Sequence, residues 1–93
     1  MLPYNTIAIE SGGEVELILY HTSGCHLCEL AEEVVAKTVS AGADIDLTLV
    51  DIANSDDLMG RYGWTIPVLT NGASELNWPF DVAKLRAWLA NLP

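Results

Sequence analysis

The chain has 93 residues, enough for one core and too few for a second. Hydrophobic residues make up 51% of it, which rules out a disordered tail, and 13 acidic against 4 basic residues leave a formal net charge of −9. So few cations cannot neutralise a nucleic-acid backbone or hold an anionic membrane surface, and neither is an expected partner.

One domain spanning residues 1–93 is expected. Its lead, Met1 to Gly13, contains no Lys or Arg and no long apolar stretch, which is not the pattern of a secretory signal. Within it Ile7-Ala8-Ile9 reads either as an extra edge strand or as part of an N-terminal arm. Val15 to Tyr20 becomes continuously apolar, as a strand covered on both faces does. Thr22-Ser23-Gly24 are turn and cap types. From Cys25 to Ala41, Leu27, Ala31, Val34, Val35 and Thr38 recur at helical spacing, with Glu29, Glu32, Glu33 and Lys37 on the other face. Gly42 fits the C-terminal cap. Ile45 to Ile52 is a second strand, so strand, helix and strand form a βαβ unit with parallel strands and a right-handed crossover.

Ser55 then caps a short helix running to Tyr62, with Gly63 as its stop. Ile66 to Thr70 is the third strand, Asn71-Gly72 a hairpin signal, and Glu75 to Asn77 the returning strand. Asp81 caps a last helix over Val82 to Asn91, with Phe80 and Leu85 at the two positions of a hydrophobic staple. No run of apolar residues is long enough to span a membrane.

The chemistry-bearing residues are the two cysteines, Cys25 and Cys28, in a C-x-x-C pair. Two cysteines so close do not make a secreted disulfide framework, so the expected address is cytoplasmic, where such a pair is redox-active or metal-binding. Cys25 falls where a buried strand meets a helix N-terminus, whose free N–H groups and dipole favour a thiolate. Cys28 lies one turn further in. That assigns Cys25 as attacking nucleophile and Cys28 as resolving thiol, with His26 between them able to tune the thiolate when protonated. The acidic helix face opposes ionisation, but it is solvent-screened, whereas the helix terminus contributes up to ~2 kcal/mol.

Strand, C-x-x-C, helix and a later Thr65-Ile66-Pro67 together resemble the thioredoxin fold, and within it the glutaredoxins. The tail Glu75-Leu76-Asn77-Trp78-Pro79-Phe80-Asp81 is most similar to that of small bacterial glutaredoxin-like proteins; the resemblance runs from Val15 to Leu92. It implies an α/β thioredoxin fold: a mixed four-stranded sheet of order 4-3-1-2, strand 3 antiparallel, with helices on both faces. It also implies a cis Ile66–Pro67 bond beside Cys25, where the backbone of Thr65-Ile66-Pro67 binds the substrate chain as an added strand. Two features depart from the glutaredoxins. Tyr20-His21-Thr22-Ser23-Gly24 supplies no cation before Cys25, and Asn77-Trp78-Pro79-Phe80 replaces the glycines that open the last helix, putting bulk where a bound peptide would lie. Asp81 survives at the matching helix start and Arg61 is a nearby cation, so both remain candidate substrate contacts.

The expected function is therefore thiol–disulfide exchange by a monomer on a protein or small-molecule disulfide. No organic cofactor and no metal are expected, and glutathione or a reductase returns the electrons. The rival reading is a non-catalytic thioredoxin-fold module that binds a metal or a partner. His21, Cys25, His26 and Cys28 carry the donor types for zinc or copper(I), but no second C-x-x-C accompanies them. Otherwise His21 is a strand-end residue without a role, Trp78 and Phe80 are packing residues, and Trp64 either packs in the core or flanks Cys25.

Overall fold

The computed structural model describes residues 7–10 and 14–92 of the chain. The elements are β1 (Ile7–Glu10), β2 (Val15–His21), α1 (His26–Ser40), β3 (Ile45–Asp51), a 3-10 turn (Ile52–Asn54), α2 (Asp56–Tyr62), β4 (Val68–Thr70), β5 (Glu75–Asn77) and α3 (Val82–Ala90). They form one sheet of order β1-β3-β2-β4-β5. β2 and β3 are parallel, and β4 runs antiparallel to both β2 and β5. This is the expected mixed four-stranded thioredoxin sheet with one strand added. Ile7–Glu10 is that edge strand, antiparallel to β3 with a bulge between Ala8 and Glu10, which settles the reading left open for Ile7-Ala8-Ile9. The rest of the lead lies outside the described residues.

Strand alternation divides the core in two. Leu17 and Leu19 of β2, Ile45, Leu47 and Leu49 of β3, Leu69 of β4 and Leu76 of β5 cluster with Ala31 and Val35 of α1 and Leu85 of α3. On the opposite face Val50, Val68 and Ile52 cluster with Leu58 and Tyr62 of α2, against which Ile18, Tyr20 and Ile66 pack. Each fully buried leucine contributes about 1.5–3 kcal/mol relative to an exposed one. The parallel β2–β3 pair requires α1 to cross over, so α1 starts at the C-terminal end of β2 and carries the chain back to the start of β3. The cysteines are at the start of α1.

Local chemistry sets the element ends. The buried stripe of α1 is Cys28, Ala31, Val35 and Thr38. Leu27, expected on the core face, is instead 46% exposed, because it lies one helical step off a stripe centred on Cys28. Gly42 ends the helix at φ +109°, its N–H bonding Val39 O while the Ala43 N–H bonds Thr38 O, the two-bond Schellman closure. Gly63 follows the last residue of α2, as expected of a stop, but without the left-handed turn of Gly42. It keeps right-handed helical angles, and a Cβ there would stand 2.6 Å from the Met59 carbonyl oxygen. Its bareness permits a close approach. The chain then continues as a turn, with the Thr65 and Ile66 N–H groups both donating to Tyr62 O. The third strand consequently begins at Val68 rather than Ile66: one N–H is already used, and Pro67 has none.

Asp81 caps α3 as expected, its Oδ1 accepting the Lys84 N–H at 2.8 Å. Phe80 and Leu85, the staple positions, are both buried in the first cluster. Among the described residues no helix is long and apolar enough to cross a membrane.

Candidate active site

Cys25 is itself the N-cap of α1, the duty expected of the preceding Thr22-Ser23-Gly24. Its backbone is extended (φ −90°, ψ 100°), its carbonyl accepts the Glu29 N–H, and its Sγ accepts the Cys28 N–H at 3.2 Å. The sulfur thus occupies the place of a capping oxygen, facing the free N–H groups at the positive end of the helix dipole. Cys25 and Cys28 are joined as a disulfide, with Cα atoms 5.2 Å apart. The two sulfurs differ in access. Cys25 is half-buried, whereas Cys28 is 1% exposed and starts the buried stripe of α1.

His26 projects outward, its Nδ1 3.6 Å from Glu29 Oε2, with both side chains more than two-thirds exposed. Such a pair is worth little in water. Antiparallel pairing of Tyr20 with Val68 brings Pro67 level with the end of β2, from which the Cys25 loop springs. The Ile66–Pro67 bond is cis, and Pro67 is fully buried. The Thr65 side chain is exposed and Ile66 is half-buried. The Ile66 N–H, however, is donated to Tyr62 O at 3.1 Å. It is not available to an added strand, so the backbone-pairing surface expected at Thr65-Ile66-Pro67 lacks that donor. Asp81 opens α3 at the same end of the sheet, because β5 runs antiparallel to β4 and delivers the chain there.

Arg61 lies on the other face. Its guanidinium sits 5.2 Å from the centre of the Tyr62 ring, whose opposite contact is Tyr20, stacked at 4.4 Å. The Tyr62 hydroxyl donates to Glu75 Oε2 at 2.7 Å. Sequence reading missed this post, for which an isolated tyrosine and glutamate give no local signal. It ties α2 to β5 and fixes the carbonyl that holds Thr65 and Ile66. Burial, the hydrogen bond to Glu75 and the charge of that carboxylate raise the Tyr62 phenol above its ordinary 10.0, while Arg61 pulls the other way. The native state therefore holds the proton more tightly than the unfolded chain, and the resulting stability is full below about pH 10 and lost as pH rises through the raised folded value. Denaturant midpoints measured from about pH 9 to 11 should fall more steeply for the wild type than for Tyr62→Phe.

Trp78 and Phe80 are packing residues, as expected. Phe80 is 4% exposed and Trp78 packs half-buried against the first cluster, the two rings meeting edge to face at 5.2 Å. Trp64 resolves the other way from core packing, being 99% exposed. As for metal ligands, His26 is turned to Glu29, the sulfurs are bonded to each other, and His21 Nε2 is enclosed without a hydrogen-bond partner. Among the described residues no group of three or more His, Cys, Asp or Glu side chains stands together as a metal site.

A strand-to-helix C-x-x-C, a cis proline level with it and this sheet order define a thioredoxin-fold protein with a redox-type cysteine pair. Residues 16–90 match the glutaredoxin-like domain (DUF836), and the chain belongs to that family. Among solved structures it is similar to the X-ray structure of target protein XcR50 from X. campestris, with 42% identity and a TM-score of 0.70 over 83% of this chain and 99% of that one. The solution structure of XcR50 gives 42% identity and a TM-score of 0.68 over 83% and 95%. No curated protein matches the sequence.

Proposed function

We propose that the protein is a thiol–disulfide oxidoreductase in which Cys25 attacks and Cys28 resolves. The observation that carries this reading is the helix cap. Cys25 Sγ accepts the Cys28 N–H at the end of a 15-residue helix, an arrangement that favours thiolate over thiol. The Cys25 thiolate attacks one sulfur of a substrate disulfide. A bond forms from Cys25 Sγ to that sulfur, and the other substrate sulfur leaves as a thiolate that takes up a proton. Cys28 then gives up its proton and attacks Cys25 Sγ, releasing the second substrate thiol and leaving the Cys25–Cys28 disulfide. Two electrons pass from the dithiol to the substrate. A thiol donor, glutathione or a reductase, restores the dithiol by the reverse sequence. No organic cofactor takes part. His26, exposed beside Glu29, tunes the thiolate by its charge when protonated, and the Thr65-Ile66-Pro67 turn and Asp81 border the bound substrate.

The acidic surface bears on the choice of substrate. The loop before Cys25 offers no cation and Arg61 is engaged over Tyr62, so an anionic tripeptide such as glutathione finds little to hold it. Alkylation of the reduced protein tests the reading. The rate at Cys25 should rise with an inflection well below the free-cysteine value of ~8.5. If both thiols titrate at about 8.5, the oxidoreductase reading fails.

A further inference from the structure

We propose that the end of the molecule carrying the disulfide is a docking face for cystine-bearing polypeptides with Arg or Lys beside the cystine, and that Trp64 is the residue that grips them. The inference rests on the exchange reading above and adds to it the class of substrate.

Three observations converge. The large hydrophobic side chains exposed among the described residues are Leu27 at 46%, Met59 at 47% and Trp64 at 99%. Leu27 lies between the cysteines, Trp64 immediately precedes Thr65-Ile66-Pro67, and Met59 is on the helix that leads there. Two of these three side chains thus lie in the segments that carry the disulfide and lead into the cis proline, as at a protein-contacting surface. Second, with the Ile66 N–H given to Tyr62 O and Pro67 lacking one, an incoming chain cannot pair in full with this edge, so side chains must supply the grip.

The third observation is charge. Glu29 in the first turn of α1 and Asp81 at the start of α3 are exposed at this end, and Asp56 and Asp57 are exposed in the first turn of α2. Two of the four Lys and Arg residues are engaged, Arg61 over the Tyr62 ring and Lys84 Nζ at 3.2 Å from the Pro79 carbonyl oxygen. A bare indole on a domain of net charge −9 suits a guanidinium or ammonium, which the ring face and the overall charge both attract. A second copy of this chain, with its own charge of −9, is repelled.

The test uses the pre-reduced full chain and three disulfides: a cystine peptide flanked by Arg, the same peptide flanked by Glu, and hydroxyethyl disulfide. Second-order rates at low salt should favour the Arg peptide over the Glu peptide by about tenfold, with the ratio shrinking toward one at about 0.5 M salt. Trp64→Ala should cut the preference for the Arg peptide over hydroxyethyl disulfide several-fold, on the order of five to ten, and Trp64→Phe should recover part of it. Because Trp64 is bare, Trp64→Ala should melt with the wild type, which separates lost docking from lost folding. Equal rates for the two peptides, or an unchanged preference in Trp64→Ala, overturn the docking proposal alone. Failure of the wild type to react with any of the three overturns the exchange reading and this inference with it.

Discussion

Cys25→Ser should abolish disulfide reduction, by at least about a thousandfold, whereas Cys28→Ser should keep the first attack and stall at the mixed disulfide. The asymmetry follows from where the sulfurs sit. Cys25 is half-buried at the helix cap, within reach of an incoming disulfide, while Cys28 is 1% exposed beneath it. A hydroxyl at position 25 is not ionised at neutral pH and cannot displace a thiolate. Cys28, which begins the core stripe of α1, is too enclosed to take its place. A hydroxyl at position 28 still leaves the N–H of that residue donating to Cys25 Sγ, so the thiolate keeps its stabilisation and only the resolving step is lost. Mass spectrometry after mixing each reduced variant with a cystine peptide checks both statements. Cys28→Ser should carry one covalent adduct, on Cys25, and Cys25→Ser none. An adduct on Cys28 in Cys25→Ser would reverse the assigned roles.

The redox pair was legible because its signal is local. A strand, two cysteines three residues apart and a helical stripe suffice to place a sulfur at a helix N-terminus. Asp81 and the Phe80–Leu85 staple were legible for the same reason, since caps and staples are short-range devices. The turn after α2 was not. Gly63 reads as a helix stop and does cap α2, but it keeps helical angles, and the reason for a bare residue there, a Cβ position 2.6 Å from the Met59 carbonyl oxygen, only coordinates reveal. Where the Ile66 N–H goes depends on the Tyr62 carbonyl, held in turn by a contact to Glu75 on another strand. Leu27 is expected on the core face and is exposed, and Trp64 reads either way, because an apolar side chain at a helix start or in a turn can face in or out. Periodicity identifies a stripe to within about one residue, and at position 27 that residue separates core from surface.

That one-residue distinction sets the second large effect. Leu19→Ala should destabilise the protein by about 2–5 kcal/mol, and Leu27→Ala by no more than about 0.5 kcal/mol. Leu19 is 0% exposed on the central strand, packed in the cluster that joins α1 and α3 to the sheet, so its truncation leaves a cavity that neighbours on both sides cannot close. A domain this small has a total stability of about 5–15 kcal/mol, so the loss should lower the melting temperature by about 10 °C or more. Leu27, 46% exposed, gives up little contact and becomes the best helix former. Thermal and denaturant unfolding of the two variants side by side reads the difference. A comparable loss at both positions would mean that Leu27 packs inward, and the apolar rim around Cys25 would lose the side chain that lies between the two cysteines.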